Sequence, residues 1–253
     1  MQSDNQTRPN IKGYVIHVKD DTVREKHMKE QIENISMPVD FILDGEQKDI
    51  TKEIIENFFS GYMRSSLMQG LELGTASCTY KHLLAYKDIV KNNIPYGVVF
   101  ENDIILEKNF NEIIFKAIEE IKKRNLKNFV ISLEDTMLRY VPRSKRIKGQ
   151  LIYRNPNMIR FAGAYLFDIE YAKNMINYVD MKGCDTVIDL FINKIDMEKV
   201  IDIYWLHPTI AAGGSVTGKF DSYFTRGSSY KGFFRKISRN VQKTYKKFLW
   251  NMR

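Results

Sequence analysis

The stretch from Tyr96 to Leu106, YGVVFENDIIL, constrains this chain more than any other. Pro95 and Tyr96 form a turn pair, after which Val98, Val99 and Phe100 run apolar without alternation. A short unbroken apolar run of this kind predicts a strand buried on both faces, as in the middle of an α/β sheet. The run stops on Glu101-Asn102-Asp103, and Ile104-Ile105-Leu106 then resume it. Two carboxylates one residue apart at the carboxyl end of a buried strand are costly to place there alone. Ligands of open α/β sheets bind at that edge. A divalent cation that itself holds a diphosphate would compensate both acids. The same residues also fit a plainer reading, in which Glu101 and Asp103 open a solvated loop and cap the next helix.

Strand-like and helix-like patterns alternate through the rest of the chain. Tyr14 to Val18 predicts a strand, and Thr22 to Ile35 a helix with Asp20, Asp21 or Thr22 as its N-cap. Val39 to Leu43 predicts a second strand, closed by the turn-prone pair Asp44-Gly45. Such an opening fits a βαβ unit, which brings the strand ends near Val18 and Asp44 to the edge that carries Glu101 and Asp103. Helices follow over Thr75 to Lys91 and from about Asn109 to Arg124, the second with Ile113, Ile114, Ala117, Ile118 and Ile121 at helical spacing. Phe129 to Leu133 predicts another buried strand, again ending on acids, Glu134-Asp135. Further strands are expected at Leu151 to Arg154, Phe161 to Phe167 and Val200 to Leu206, and further helices at Glu170 to Tyr178 and Asp185 to Asn193. This alternation predicts a three-layer α/β/α sandwich, because eight full βα units of a barrel do not fit. Gly213-Gly214-Ser215 reads either as a phosphate-cradling turn or as a flexible loop at the donor or acceptor site.

Charge divides the chain unevenly. Nine Lys or Arg and no Asp or Glu lie between Ser222 and Arg253, which leaves residues 1–221 at −1 out of a total of +8. On a helix, Phe234, Ile237, Val241, Tyr245, Phe248 and Leu249 fall on one arc, opposed by Arg235, Lys236, Arg239, Lys243, Lys246 and Lys247. That pattern predicts that residues 230–253 lie on an anionic membrane surface, against the alternative that the apolar arc docks on the protein itself. Nucleic acid is not the expected partner, because no recognition motif accompanies the charge. No run approaches the roughly 18 apolar residues of a membrane span, and the opening MQSDNQTRPN lacks the apolar segment of a secretory signal. Cys78 and Cys184 are the only cysteines, which suits a reducing cytoplasm. The expected organisation is a disordered N-terminus over 1–10, one catalytic domain over 11–225 and a membrane-associating tail over 226–253.

The order of motifs resembles glycosyltransferase family 25, the lipooligosaccharide and collagen β-galactosyltransferases. The family's arginine-bearing first helix is matched by YVIHVKDDTVREKHM, and its strand ending Asp-Gly by FILDG. Its Gly, Cys and His, each four apart on a helix and followed by an aromatic, are matched by Gly74, Cys78, His82 and Tyr86. Its acidic motif is matched by VVFENDIIL, with Asn102 in place of the middle acid. GAYLFDIEYAKNMI, VIDLFI with Asp189 and VIDIYWLHP match its later segments, so the resemblance covers roughly residues 11 to 225. Thr75 and Ser77 replace a Glu and a Gly of the family pattern, and Lys81 replaces a Ser.

The resemblance implies a GT-A-like fold, a UDP-sugar donor (UDP-galactose first), a divalent metal such as Mn²⁺, and inversion at the anomeric carbon. A lipid-linked or lipooligosaccharide glycan on the cytoplasmic side of the membrane is the implied acceptor. Asp103 is the expected metal ligand, with His207 as a candidate to complete the shell. Val18, Arg24, Asp44, His82, Glu101 and Asn102 are expected on the donor side, His82 as a buried hydrogen-bonding support. Inversion in one step needs a base on the face opposite the leaving group. Asp189 is the expected base, with Asp185, Glu134 and Asp135 as rivals, and Cys78 is read as core packing. Two other functions fit the residues: a different nucleotide-dependent transferase such as a nucleotidyltransferase, and a transferase-like module that binds membranes without catalysis.

Overall fold

A computed structural model describes residues 9–220 and 230–253. The expected disorder over 1–10 therefore falls mostly outside the described residues, as do the boundary near 225 and the side chains of Phe234, Arg235 and Lys236. The chain opens with β1 (Ile11–Ile16), α1 (Thr22–Ile32) and β2 (Val39–Ile42), and β1 and β2 pair in parallel. Asp21 caps α1 by accepting the Arg24 N–H at 2.9 Å. Three helices follow, α2 (Lys52–Phe58), α3 (Gly61–Met68) and α4 (Leu73–Lys91). After them come β3 (Tyr96–Glu101), β4 (Ile104–Leu106), α5 (Phe110–Arg124), β5 (Phe129–Ser132) and β6 (Ile152–Arg154). The second half runs β7 (Ala164–Asp168), α6 (Ile169–Lys182), α7 (Ile188–Met197), β8 (Asp202–Leu206), β9 (Ala211–Gly213), α8 (Gly214–Thr217) and α9 (Tyr230–Met252).

Seven strands form one mixed sheet in the order β2-β1-β3-β7-β5-β8-β6. β7 runs antiparallel to both β3 and β5, and β6 antiparallel to β8, so the other five strands share one direction. Alternation along each strand sorts its side chains to two faces. Tyr14, Val99, Val130, Tyr165, Phe167 and Ile203 pack with α4, α6 and α7. Val15, Val98, Phe100, Ile131, Leu166 and Leu206 pack with α5 and Met28 of α1. The expected three-layer sandwich is thus present. Ile113, Ile114, Ala117, Ile118 and Ile121, predicted as one face of α5, are all buried. Each of the four isoleucines contributes about 1.5–3 kcal/mol of hydrophobic stabilisation.

One pairing is not visible in the periodicity. β4 and β9 form a separate two-stranded antiparallel sheet, with Ile104 opposite Gly213 and Leu106 opposite Ala211. It carries the chain back from the end of β8 to the acidic turn after β3.

Candidate active site

The five parallel strands end at one edge of the sheet, and the antiparallel β7 begins there. Because β7 lies between β3 and β5, its first residues sit between the acids that end those strands. The Glu101 N–H donates to the Gly163 carbonyl at 2.7 Å. Glu134 Oε1 in turn accepts the N–H groups of Gly163 at 2.8 Å and Ala164 at 3.2 Å. The Thr136 hydroxyl donates to the other Glu134 oxygen. A cavity of about 720 Å³ opens over this edge, and Glu101, Asp103, Glu134 and Asp189 all line it.

Burial at this edge, more than mutual repulsion, raises the proton affinity of Glu101, Glu134 and Asp189. Glu101 is pushed up to about 8, first by loss of solvation and then by the charges of Asp103, Glu134 and Asp189, with Arg24 opposing. Burial pushes Glu134 up to about 7 against its three hydrogen bonds. Burial also raises Asp189, which sits at the start of α7 with one oxygen on the Leu190 N–H at 2.9 Å.

Asp103 is held in place by the glycine pair. Gly214 N–H donates to the Asp103 carbonyl at 2.9 Å, and Ser215 N–H to Asp103 Oδ2 at 2.8 Å. A Cβ on Gly214 would lie 2.4 Å from the Asp103 carbonyl oxygen, so only glycine permits this approach. Gly213 and Gly214 are therefore the end of β9 and the start of α8, closing on an acid, and not the turn or flexible loop expected for them.

Asn102 faces away from the acids. Its Oδ1 accepts from Arg24 Nη1 at 3.1 Å, and its Nδ2 lies 3.3 Å from His17 Nδ1, all three residues being buried. Arg24 is thus engaged beside the acidic turn, its guanidinium also 5.4 Å from the Phe220 ring. His82 is wholly buried, with Nδ1 2.7 Å from the Tyr165 hydroxyl, and burial drives it down to about 3. Val18 and Asp44 lie at the ends of β1 and β2 as foreseen, and both are exposed.

His207 stands apart from the acids. Its ring centroid is 6.5 Å from that of Tyr153, and burial with the charges of Arg146, Arg160 and Lys247 lowers it to about 4. His207 is not among the residues that line the cavity, so the structure does not bring it to the expected metal shell at Asp103. Two rivals to Asp189 are also engaged elsewhere. Asp185 pairs with Lys194 at 2.6 Å. Asp135, 1% exposed, is taken up by α9: Arg239 reaches Asp135 Oδ1 at 3.1 Å and Lys243 reaches Oδ2 at 2.6 Å.

Those contacts bring an unforeseen wall to the cavity. Ser238, Arg239 and Gln242 of α9 line it, with Arg239 also donating to the Asp135 and Thr136 carbonyls at 3.2 and 3.1 Å. α9 therefore packs through its basic arc. Ile237, Val241, Tyr245, Phe248 and Leu249 of the other arc are exposed. Phe161, in the left-handed region at φ 64°, is a second lining residue that no sequence signal marked.

A family model described as glycosyltransferase family 25 (LPS biosynthesis protein) matches residues 10–192. The chain belongs to glycosyltransferase family 25. Two relatives from Haemophilus influenzae are the lipooligosaccharide biosynthesis proteins lex-1 and lic2B. The first is 29% identical over 168 residues, 62% of this chain and 55% of the relative. The second is 21% identical over 172 residues, 66% of this chain and 63% of the relative. The chain thus spans between about half and two thirds of the length of these relatives. A solved glycosyltransferase involved in glycosylation of the major capsid of PBCV-1 aligns over 90% of this chain and all of that one, at 11% identity and a TM-score of 0.38. The matched segment contains Glu101, Asp103, Glu134 and Asp189, whereas the family model ends before β8, β9 and α9.

Proposed function

We propose that this family 25 chain transfers a hexose, galactose from UDP-galactose first, to a sugar hydroxyl of a lipooligosaccharide or related surface glycan, with inversion and with a divalent metal such as Mn²⁺. The observation that carries the reading is the cavity shared by Glu101, Asp103, Glu134 and Asp189 at the carboxyl ends of the parallel strands. The donor set suits a hard cation. Glu101 and Asp103 are oxygen ligands flanking one turn; burial first, and then the neighbouring carboxylates, raise Glu101, and a cation would offset both. When bound there, it supplies positive charge to a departing diphosphate.

Asp189 is the base in this reading. Glu134 spends both oxygens on Gly163, Ala164 and Thr136, while Asp135 and Asp185 are ion-paired. Among the described residues Asp189 bonds only within its own helix start, and it lines the cavity, so its other oxygen can take the acceptor hydroxyl's proton. Asn102, where the family pattern carries an acid, accepts from Arg24 beside the site.

The acceptor in this reading is lipid-linked and the enzyme sits on the inner face of the cytoplasmic membrane. The outward apolar arc of α9, on an acid-free segment whose Arg239 and Lys243 hold it to the domain, supports this placement. The test of the reaction is turnover of UDP-galactose by the purified chain with and without Mn²⁺. Metal-dependent release of UDP is expected, with Asp189→Asn lowering turnover a hundredfold or more, about the scale of general-base loss, while UDP still binds. Metal-independent turnover, or a loss under about tenfold, would overturn the assignment.

A further inference from the structure

The cavity floor holds a second set of donors, of a different chemical kind. Cys78 and His82 stand four residues apart on α4, so their side chains leave one face of the helix. Glu101 reaches the same point from the end of β3. Cys78 Sγ, a ring nitrogen of His82 and a Glu101 oxygen all lie within 4.8 Å of one another, with 4.0 Å between Cys78 Sγ and Glu101 Oε1.

His82 is the member that points to a ligand. Its ring is 0% exposed and stacked on Tyr165 with centroids 5.7 Å apart. A chain of hydroxyls runs from its Nδ1: Tyr165 at 2.7 Å, Tyr86 at 2.6 Å from Tyr165, and Tyr171 at 3.2 Å from Tyr86. If each group donates to the next, Nδ1 carries the hydrogen and Nε2 is a bare lone pair. If the chain runs the other way, Nε2 carries a hydrogen. In both cases Nε2 is buried without a hydrogen-bond partner, an arrangement that proteins avoid unless something is bound there. The first direction is that of a metal-ligating histidine, whose remote N–H is held by an outer partner that fixes the ring.

We infer that Cys78, His82 and Glu101 form a binding site for a thiophilic divalent cation of the Zn²⁺ class. A thiolate, an imidazole and a carboxylate are the donors such an ion takes, whereas Mn²⁺ and Mg²⁺ prefer oxygen alone. Tetrahedral ligands about 2.0–2.3 Å from the ion stand roughly 3.3–3.7 Å from each other. The three atoms need draw together by up to about 1.5 Å, within reach of side-chain rotations. Cys78 and Glu101 both line the cavity, so the fourth position faces it and stays open to water or a ligand. Binding displaces the thiol proton to solvent. Glu101 is common to this site and to the oxygen set it forms with Asp103, so a thiophilic ion withdraws one ligand from the proposed catalytic metal.

Co²⁺ titration of the purified, reduced full chain tests the site without reference to activity. One equivalent is expected to bind with a near-ultraviolet thiolate-to-cobalt charge-transfer band and tetrahedral visible bands, both bleached by Zn²⁺. Cys78→Ser, close to isosteric, removes the charge-transfer band, and His82→Gln weakens Co²⁺ binding tenfold or more. Asp103→Asn leaves the band in place, which separates this site from the oxygen set. A wild-type chain that is folded by circular dichroism and shows no charge-transfer band would overturn the inference. So would a band that survives in Cys78→Ser, since the thiolate would then be that of Cys184.

Discussion

Glu101 and Glu134 are acids whose proton affinity is raised by burial at the sheet edge, to about 8 and about 7. The sign of the consequence follows from proton binding. An acid whose folded value lies above its unfolded value of about 4.3 holds more protons in the native state. Its contribution is complete below that unfolded value and is lost as pH rises through the folded one. Melting of the metal-free chain, followed by circular dichroism, is therefore expected to fall in temperature from pH 5 to pH 8. Glu101→Gln should flatten much of that slope, because the amide has no proton to lose. A wild-type melting temperature that is level across this range would mean that both acids are already ionised in the native protein. Asp189 works in the opposite sense on turnover: a base must be ionised, and burial raises it. The acid limb of the pH–rate profile should then lie above the ordinary aspartate value of about 3.9.

Among the elements, β9 and α8 carry the position of Asp103. Gly214→Ala would put a methyl group 2.4 Å from the Asp103 carbonyl oxygen and 2.7 Å from the Phe220 ring. Backbone cannot yield as a flexible side chain does, so the two elements must separate. Urea unfolding is expected to show a loss of about 1–3 kcal/mol. In the same variant Mn²⁺-dependent protection by UDP should shrink in a thermal-shift assay, as Asp103 loses the Ser215 N–H. Helix α9 depends on a single acid in the same manner. Asp135 receives both Arg239 and Lys243 where it is nearly shut off from water. Removing one partner of a buried pair leaves the other charge uncompensated, at about 3–5 kcal/mol. Asp135→Ala should release α9, seen as rapid tryptic cleavage at Lys243, Lys246 and Lys247 with the domain left intact. Equal cleavage rates in variant and wild type would mean that other contacts hold the helix.

At the scale of the whole molecule, the chain is a nearly neutral domain with a basic helix laid across its site. Among the described residues no helix is long and apolar enough to cross a membrane. Val241, Tyr245 and Phe248 are each at least 60% exposed, an apolar stripe that water alone does not favour. Sedimentation with vesicles is expected to show binding to anionic lipid, weaker binding to neutral lipid, and neither after removal of residues 230–253. Binding that survives the truncation, or that is equal for both lipids, would leave the proposed placement without support. Because Ser238, Arg239 and Gln242 line the cavity, the same truncation should open the site on one side. UDP affinity measured by calorimetry with the two chains reports that separately from membrane binding.

Local pattern alone determined much of this protein. The apolar runs of β3 and β5, the 3.6-residue period of α5 and the acids ending two strands are each written within a dozen residues, where chain geometry leaves few choices. The family motifs are equally local, and so the acidic turn and Asp189 were legible. Tertiary structure decided which groups meet. Ile104 and Gly213 pair across more than a hundred residues, and no period encodes that register. Glu134 became a ligand of backbone amides because β7 enters between β3 and β5 in the reverse direction, a matter of strand order. His207 ends a strand at the predicted edge, yet it lies toward β6 among cations, since an edge has length as well as direction. The period of α9 separated a basic arc from an apolar one but carried no information on which would face the domain. The buried carboxylate of Asp135 decided that, because an uncompensated charge in the interior outweighs the burial of a few apolar side chains.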